Sequence, residues 1–408
     1  MNRAPAPFPL LLGTVLTVAD TSSINFENSS TAGSATITSA GSVYFNGESS
    51  AGSATIVMTP SDYGSLTFTE DSTAAQASIT LNDSAVEFTG SSSADNATIT
   101  ANGSTVAITE YASGGTATIQ LNAGSTLRIF FDYRSVGAIG GDGYVELVDS
   151  VLGIGAGNLD SIFDGTIKES GSGGIHKIGT GTVTLNGVNT YTGNTLIDAG
   201  TLVVNGSLAS SLTSVYDTGT LSGSGSLGAL VVGAGGTLAP GNSPGTLSVG
   251  DTTFESGGTF EFQIANTSGD AGTAYDLLSI SGKLLITATS DNPFLLDVAS
   301  LNGLVAGAAA NFNPTADYSF TFLTTTGGIE GFSADIFSIL TDRFANPFTG
   351  SWSIALTNSG HDLTLVYAGT GAIPEPSTYA AIFGTVALAL AALRRRPRAK
   401  SNSLQSPL

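Results

Sequence analysis

Cysteine is absent from this 408-residue sequence, which excludes disulfides, zinc–thiolate sites and thiol nucleophiles. Only two histidines occur, His176 and His361, and they lie far apart in the sequence. Few imidazole groups are therefore available for catalysis or metal binding. Charged residues amount to 11%, where about 25% is usual in soluble proteins. Helix-forming residues are also sparse, which effectively excludes a helical bundle.

Positive charge is especially scarce. The sequence holds 12 Lys and Arg residues against 32 Asp and Glu, and five of those 12 lie between Arg394 and Lys400. The chain before Arg394 is therefore strongly acidic. Because such a surface repels phosphate backbones, nucleic-acid binding is not expected.

Glycine is abundant, at 53 of 408 residues, and it is accompanied by many Ser, Thr and Asn residues. This composition suits short strands joined by tight turns. Hydrophobic residues still make up 41%, which is enough for a core. The length allows about two or three domains.

An internal repeat of about 20 residues runs through residues 21–129. Each copy holds an Ala-(Thr/Ser)-Ile triplet, a turn rich in Asn, Gly and Ser, and a second run of the form apolar-x-apolar. Where one element's interval lengthens to 23, around Pro60, so does the other's. In-phase repeats of this kind predict the stacked turns of a parallel β-helix, which bury one continuous core. A β-sandwich of hairpins is the alternative.

The solenoid prediction assigns particular side chains to internal columns, because equivalent positions of successive turns stack. The predicted columns are Ile37, Ile56, Ile79, Ile99 and Ile119, and Ala35, Ala54, Ala77, Ala97 and Ala117. Residues 130–170 carry bulkier aromatics and interrupt the period, which predicts irregular turns. Residues 288–370 are denser still in aromatics and predict a β-rich cap, since an open solenoid needs covered ends.

Residues 171–287 have a related but different pattern. The strand-like run Gly179-Thr-Gly-Thr-Val-Thr-Leu185, the turn Asn189-Thr-Tyr-Thr-Gly193 and the run Gly200-Thr-Leu-Val-Val204 resemble the autotransporter-associated β-strand repeat. Further on, Leu238–Leu247 resembles a turn that follows in passenger domains of that family. The resemblance implies a parallel β-helix segment exposed outside the cell.

The C-terminal segment has three parts. Ile373-Pro-Glu-Pro-Ser377 precedes an uncharged apolar run at 379–393, and a basic cluster follows. As a helix, the apolar run would span about 22 Å, which is short for a hydrocarbon core of about 30 Å. The sequence nevertheless predicts a single C-terminal transmembrane helix at 379–393 with its basic end in the cytoplasm.

This tail, residues 373–398, resembles a PEP-CTERM sorting signal. The recognition residues would be Pro374, Glu375 and Pro376, and the membrane stop would be Arg394, Arg395 and Arg396. The resemblance implies membrane anchoring by the C-terminus, processing by an exosortase-like membrane enzyme, and then delivery to the cell surface or extracellular matrix of a Gram-negative bacterium. At the other end, residues 1–20 fit either a signal peptide or a truncated start.

Two short motifs match catalytic or cofactor patterns. Gly241-Asn-Ser-Pro-Gly245 has the form of a hydrolase nucleophile elbow, but Pro244 lacks the N–H needed for an oxyanion hole and strand-like residues follow. Gly223-Ser-Gly-Ser-Leu-Gly228 has the form of a dinucleotide fingerprint, but no helix pattern follows it. We therefore assign no catalytic, cofactor-binding or metal residue.

One acidic cluster remains as a candidate site: Asp132, Asp142, Glu146 and Asp149. Some parallel β-helices are glycosidases or lyases that use paired carboxylates. A solvated acidic face is the preferred interpretation, because only Arg128 and Arg134 could supply positive charge nearby.

The sequence thus predicts an all-β, secreted structural or adhesive solenoid without enzymatic activity or cofactor. Its expected partners are the exosortase-like enzyme, the membrane through residues 379–393, and an extracellular polysaccharide or matrix. The alternative is a carbohydrate-active or carbohydrate-binding β-helix. Acidic side chains of successive turns that line one groove together with aromatics would favour this alternative.

Overall fold

The computed structural model describes residues 13–208 and 210–371. Short strands make up most of this part of the chain, and its only helical elements are single 3-10 turns at Ala156–Asn158, Ala334–Ile336 and Asn358–Gly360. The strands are β1 Val15–Val18, β2 Ser23–Phe26, β3 Thr36–Ser39, β4 Ser42–Phe45, β5 Thr55–Met58, β6 Leu66–Phe68, β7 Ser78–Asn82, β8 Ala85–Phe88, β9 Thr98–Asn102, β10 Thr105–Ile108, β11 Thr118–Leu121, β12 Thr126–Val136, β13 Ala138–Gly141, β14 Tyr144–Ile154, β15 Ser161–Phe163, β16 Thr166–Lys177, β17 Thr182–Leu185, β18 Thr195–Val204, β19 Ser207–Leu208, β20 Thr213–Gly223, β21 Ser226–Leu227, β22 Leu230–Val232, β23 Thr237–Pro240, β24 Thr246–Val249, β25 Thr252–Phe254, β26 Thr259–Ile264, β27 Leu277–Ile280, β28 Leu284–Ile286, β29 Phe294–Asn302, β30 Val305–Ala306, β31 Tyr318–Thr325, β32 Ile329–Glu330, β33 Phe337–Leu340, β34 Ser351–Thr357 and β35 Asp362–Ala368.

Strands pair in parallel with the equivalent strand of the next turn, which is the defining feature of a β-solenoid. One column runs β1–β3–β5–β7–β9–β11 and another runs β2–β4–β6–β8–β10–β12. From β19 onward a further parallel column joins β21, β24, β27 and β31. The stack comprises about 12 turns. The predicted solenoid is confirmed, and the β-sandwich alternative is wrong.

The internal columns form as the repeat predicts. Ile37 pairs in register with Ile56, and the series continues through Ile79, Ile99 and Ile119. All five side chains are at most 1% exposed, and the five predicted alanines are fully buried. Strict in–out alternation within each four- or five-residue strand produces this arrangement, since one face points inward at every turn.

Aromatic and amide ladders reinforce the stack. The rings of Phe26, Phe45, Phe68 and Phe88 lie 4.5–4.8 Å apart and are nearly parallel, so each turn contributes one ring to a continuous buried column. The Asn122 side chain donates to that of Asn102 at 2.6 Å, and Asn102 donates to Asn82 at 2.9 Å.

Close approach of turns explains much of the glycine content. At Gly52 the backbone has a φ of +62°, and a Cβ there would lie 2.6 Å from the Gly33 carbonyl oxygen of the preceding turn. Only glycine adopts this conformation without strain and leaves room for the neighbouring backbone.

Residues 130–170, for which the sequence predicts irregular turns, belong to the stack. β12 and β14 are 11 residues long and pair in parallel along most of their length. A bulge interrupts the pairing of β14 with β16 after Val148. The longer strands and bulged corners, rather than a loss of stacking, therefore account for the interrupted sequence period.

Parallel turns also extend into residues 288–370. β29 pairs in parallel with β26 and with β33, whereas β31, β35 and β34 form an antiparallel sheet. Aromatic side chains pack densely there: the Trp352 and Tyr367 ring centroids lie 4.7 Å apart, and Trp352 and Phe348 pack on the hydrophobic core. The region is therefore rich in strands, and its role as a cap stays a prediction.

The segments predicted at the two ends of the chain lie wholly or partly outside the described residues. The sorting signal at 373–398, with its apolar run at 379–393, lies outside the described residues, as do residues 1–12 of the N-terminal segment. Val15–Val18 already forms β1 of the stack. Across residues 13–208 and 210–371, no helix has the length and apolar character needed to cross a membrane.

Candidate functional site

An open groove of about 780 Å³ crosses the surface of five successive strands. The groove-lining residues come from β12, β14, β16, the start of β18 and β20, together with the turn before β18. These are Asp132, Tyr133, Asp149, Ser150, Val151, Ser172, Gly173, Gly174, Ile175, His176, Gly193, Asn194, Thr195, Leu196 and Ser214. Because these strands are stacked neighbours, the groove runs along the solenoid axis.

Two carboxylates of the predicted acidic cluster lie along this groove, at the bulged corners of adjacent turns. Asp132 and Asp149 adopt left-handed backbone conformations, with φ of 57° and 46°. Aspartate tolerates this conformation better than most residues. Asp149 Oδ1 accepts the backbone N–H of Ser172 at 3.0 Å, which fixes the corner of one turn to that of the next.

An aromatic–imidazole–carboxylate group also belongs to the groove. The Tyr133 ring meets the His176 ring edge-on, with centroids 5.8 Å apart, and His176 Nε2 lies 2.7 Å from Asp198 Oδ2. Burial and the nearby Asp198 carboxylate raise the pKa of Tyr133. Tyr133 nevertheless stays 45% exposed, and the neighbouring Phe131 is 56% exposed, so the groove has aromatic surface in contact with solvent.

Beneath the groove, buried hydroxyl groups form a connected chain. The Tyr191 hydroxyl lies 2.7 Å from Thr195 Oγ1, which lies 2.9 Å from Ser211 Oγ. Ser211 in turn donates to the Gly193 carbonyl oxygen at 2.8 Å. Since Tyr191, Thr195 and Ser211 are almost completely buried, this network holds the floor of the groove rigid.

The other two residues of the acidic cluster have different surroundings. Glu146 Oε2 forms an ion pair with Arg128 Nε at 2.9 Å, and Asp142 lies in the turn between β13 and β14. The structure therefore separates the cluster into a groove pair, Asp132 and Asp149, and two residues away from it. Sequence reasoning did not connect this cluster with His176 or Asp198, which belong to later turns.

The catalytic-looking motifs occupy turns and strands. Ser243 lies in the turn between β23 and β24, and strand rather than helix follows it. The run Gly223–Gly228 passes from the end of β20 through β21. Neither context is that of a nucleophile elbow or a dinucleotide fingerprint. Among the described residues, no cluster of three or more His, Asp or Glu side chains could hold a metal ion.

The residue that follows His176 in β16 is a buried lysine. Lys177 is fully buried in the column between Ile154 and Ile197, where only hydrophobic side chains are expected. Its ammonium donates to the carbonyl oxygens of Ile178 at 2.8 Å, Gly179 at 2.7 Å and Ala199 at 3.0 Å. Burial lowers the pKa of Lys177 to about 8.

Part of the groove lining and the buried lysine lie in a segment that matches a known protein family. Residues 175–204 match the model of the passenger-associated transport repeat. The match falls within the stretch that resembles an autotransporter-associated repeat in sequence, and it covers the end of β16, β17 and β18. No curated protein matches the chain.

Together, the match and the parallel β-solenoid support an autotransporter-like passenger repeat protein. This family indicates an exported, cell-surface protein. It also favours a structural rather than a catalytic role.

Proposed function

We propose that this chain is a structural or adhesive solenoid displayed on the cell surface. The observation that supports this proposal best is a passenger-type repeat embedded in an unbroken parallel stack. The stack presents a long surface dominated by Ser, Thr and Asn. A rod of this kind can hold an adhesive surface away from the membrane.

Sorting through the C-terminal tail is part of the proposal. In the sequence, Pro374, Glu375 and Pro376 precede the apolar run at 379–393, and Arg394 begins the basic stop. Proline disfavours helical conformation in the residue before it, so the sequence predicts that the tripeptide is accessible to a processing enzyme. Moving the arginines across hydrocarbon is costly, so the acidic body stays on the opposite side. An exosortase-like enzyme would then process the tail.

Surface display can be tested with an epitope tag inserted after Gly303, at the exposed β29–β30 hairpin. We expect antibody to label the tag on intact cells of the native host. Replacement of the Pro-Glu-Pro tripeptide at 374–376 by alanines should give an unprocessed, membrane-retained form. A tag that becomes accessible only after cell lysis would contradict surface display.

Intact-mass analysis tests the processing step separately. We expect surface-extracted wild-type protein to lack residues 394–408. Finding the original C-terminal Leu408 on that protein would contradict processing, while surface labelling would still support display by an uncleaved anchor.

The alternative function, a carbohydrate-binding or carbohydrate-active β-helix, is favoured by the groove. Acidic side chains of successive turns, Asp132 and Asp149, line it together with the aromatic Tyr133. Binding is the better supported form of this alternative. His176 pairs with Asp198, and among the described contacts no serine hydroxyl of the groove is hydrogen-bonded to His176, as a Ser–His catalytic pair would require.

A further inference from the structure

We propose that the groove across β12, β14, β16, β18 and β20 binds a linear glycan that carries no acidic groups. The proposal deepens the adhesive function, on which it rests, by naming a site and a ligand class. The volume of about 780 Å³ lies within the usual range for ligand sites, about 300–1,000 Å³.

The shape of the groove selects an oligomer. Five stacked strands contribute lining residues, and neighbouring strands lie about 4.8 Å apart, so the groove is roughly 19 Å long. This length exceeds that of a single sugar ring. The groove is open along its length, so a chain can lie in it along the solenoid axis.

The lining chemistry combines aromatic and hydrogen-bonding groups. Tyr133 offers a half-exposed ring on which the C–H face of a sugar can pack. Asp132, Asp149 and His176, whose ring is held by Asp198, offer polar groups that can bind sugar hydroxyls. In other proteins, small-molecule sites usually combine apolar surface with a few oriented polar groups, as this groove does.

Charge restricts the ligand class. No lysine or arginine is among the groove-lining residues, whereas Asp132 and Asp149 are. The whole chain carries a formal net charge of −20. A uronic acid polymer or a phosphorylated glycan would therefore be repelled, while a neutral or amino-sugar chain would not.

The backbone argues against an extended peptide as the ligand. Peptides that bind sheets usually add a strand to an exposed edge. β14 pairs with β12 and β16, and β16 pairs with β14 and β18, so these strands have no free edge along the groove. Recognition has to use side chains, which suits a polyhydroxyl chain.

The test uses purified full-length protein and calorimetric titration with four probes: cellohexaose, the glucosamine hexamer, hexagalacturonate and hexalysine. We expect cellohexaose or the glucosamine hexamer to bind, and hexagalacturonate to show no binding. Tyr133→Ala should weaken glycan binding by about tenfold or more, as loss of an aromatic anchor does. Tyr111→Ala is the matched control, because Tyr111 is 82% exposed and lies outside the groove.

The carboxylates are tested with substitutions that preserve the backbone. Asp149→Asn keeps an oxygen for the Ser172 N–H and tolerates a left-handed conformation, so the variant should fold and bind glycan about fivefold more weakly. Asp217→Asn is the control, since Asp217 also has a positive φ, of 53°, but does not line the groove.

Three results would overturn the proposal: no binding of either non-acidic hexamer, binding unchanged by Tyr133→Ala, or tighter binding of hexagalacturonate or hexalysine. The outcomes are independent of cell-surface display, because the titration uses purified protein. Failure of the titration would leave the surface-labelling result intact, and failure of surface labelling would leave the titration result intact.

Discussion

The Lys177 ammonium donates a hydrogen bond to the Ala199 carbonyl oxygen of the next turn, at 3.0 Å, from a position inside the hydrophobic column. Gly200 makes room for it, since a Cβ at Gly200 would lie 2.7 Å from the ammonium nitrogen and 2.5 Å from the Gly179 carbonyl oxygen. The lysine thus joins two turns within the passenger-type repeat through the Gly179 and Ala199 carbonyl oxygens, and its ammonium explains why glycine occurs at position 200.

Lys177→Met should destabilise the protein although it makes the column uniformly hydrophobic. The substitution leaves three carbonyl oxygens without their ammonium donor, at a cost of about 1–3 kcal/mol in the free energy of unfolding. Urea unfolding monitored by circular dichroism measures this cost. Lys283→Met is the control, because Lys283 is exposed and pairs with Glu330 at the surface, so its change in the free energy of unfolding should be clearly smaller than that of Lys177→Met. Equal stability of the two variants would contradict the proposed role of Lys177.

Ile99→Ala should lower stability by about 2–5 kcal/mol, because Ile99 is fully buried between Ile79 and Ile119 and the truncation leaves a cavity. Ile99→Asp should cost more, since it buries an unpaired charge. Thr98→Ala, on the outward face of the same strand, should change stability by less than about 0.5 kcal/mol. Similar losses for Ile99→Ala and Thr98→Ala, measured by denaturant unfolding, would show that the column does not carry the core.

Asp276 should make stability fall as pH rises. The carboxyl is fully buried and accepts backbone N–H groups of Gly245 and Gln263 at 2.9 and 2.8 Å. Burial raises the pKa of Asp276 to about 8, above its ordinary value of 3.8. The folded protein therefore holds a proton that the unfolded chain loses between these values. Its stabilising effect is complete below about pH 4 and is lost as pH approaches 8.

The difference in the free energy of unfolding between wild type and Asp276→Asn isolates the contribution of the Asp276 proton, because the asparagine amide does not titrate. Relative to that variant, wild type should lose up to about 1.4 kcal/mol per pH unit between pH 5 and 8. Urea unfolding at successive pH values gives both curves. Curves that run parallel across this range would mean that Asp276 is ionised in the folded protein.

No hydrolase or lyase turnover is expected from the full-length protein on esters or polysaccharides. Ser243 lies in a turn that strand follows, so Ser243→Ala should leave every measured property unchanged apart from a slight change in local stability. Turnover that disappears with Ser243→Ala or with Asp149→Asn would establish catalysis and replace the structural interpretation.

Sequence periodicity was sufficient to predict the stack and its internal columns. The side-chain alternation within each strand and the constant spacing of Ile79, Ile99 and Ile119 determine which residues face inward. The same logic does not reach the bulged corners near Asp132 and Asp149, because one extra residue there changes the register without changing composition. The prediction of irregular turns at residues 130–170 therefore carried no strand lengths or bulge positions.

The groove could be predicted only in part. The acidic cluster indicated Asp132 and Asp149, but their proximity to His176 depends on the lengths of two later turns, which no spacing rule supplies. Lys177 was not identified either. A lysine in a glycine-rich stretch is ordinarily exposed, and its burial becomes visible only once Ile154 and Ile197 are known to be its neighbours in the column.

The regular pairing of each turn with its predecessor has a consequence for export. Ile99 pairs with Ile79, about 20 residues earlier, and its other partner, Ile119, belongs to the turn that follows, so each turn of the early stack can pair with a turn that precedes it in the chain. A chain leaving a narrow secretion pore can therefore fold vectorially, adding one turn at a time to a finished template. In the proposed export, each added turn would bury apolar surface on the outer side, and this burial would oppose the return of the polypeptide across the membrane.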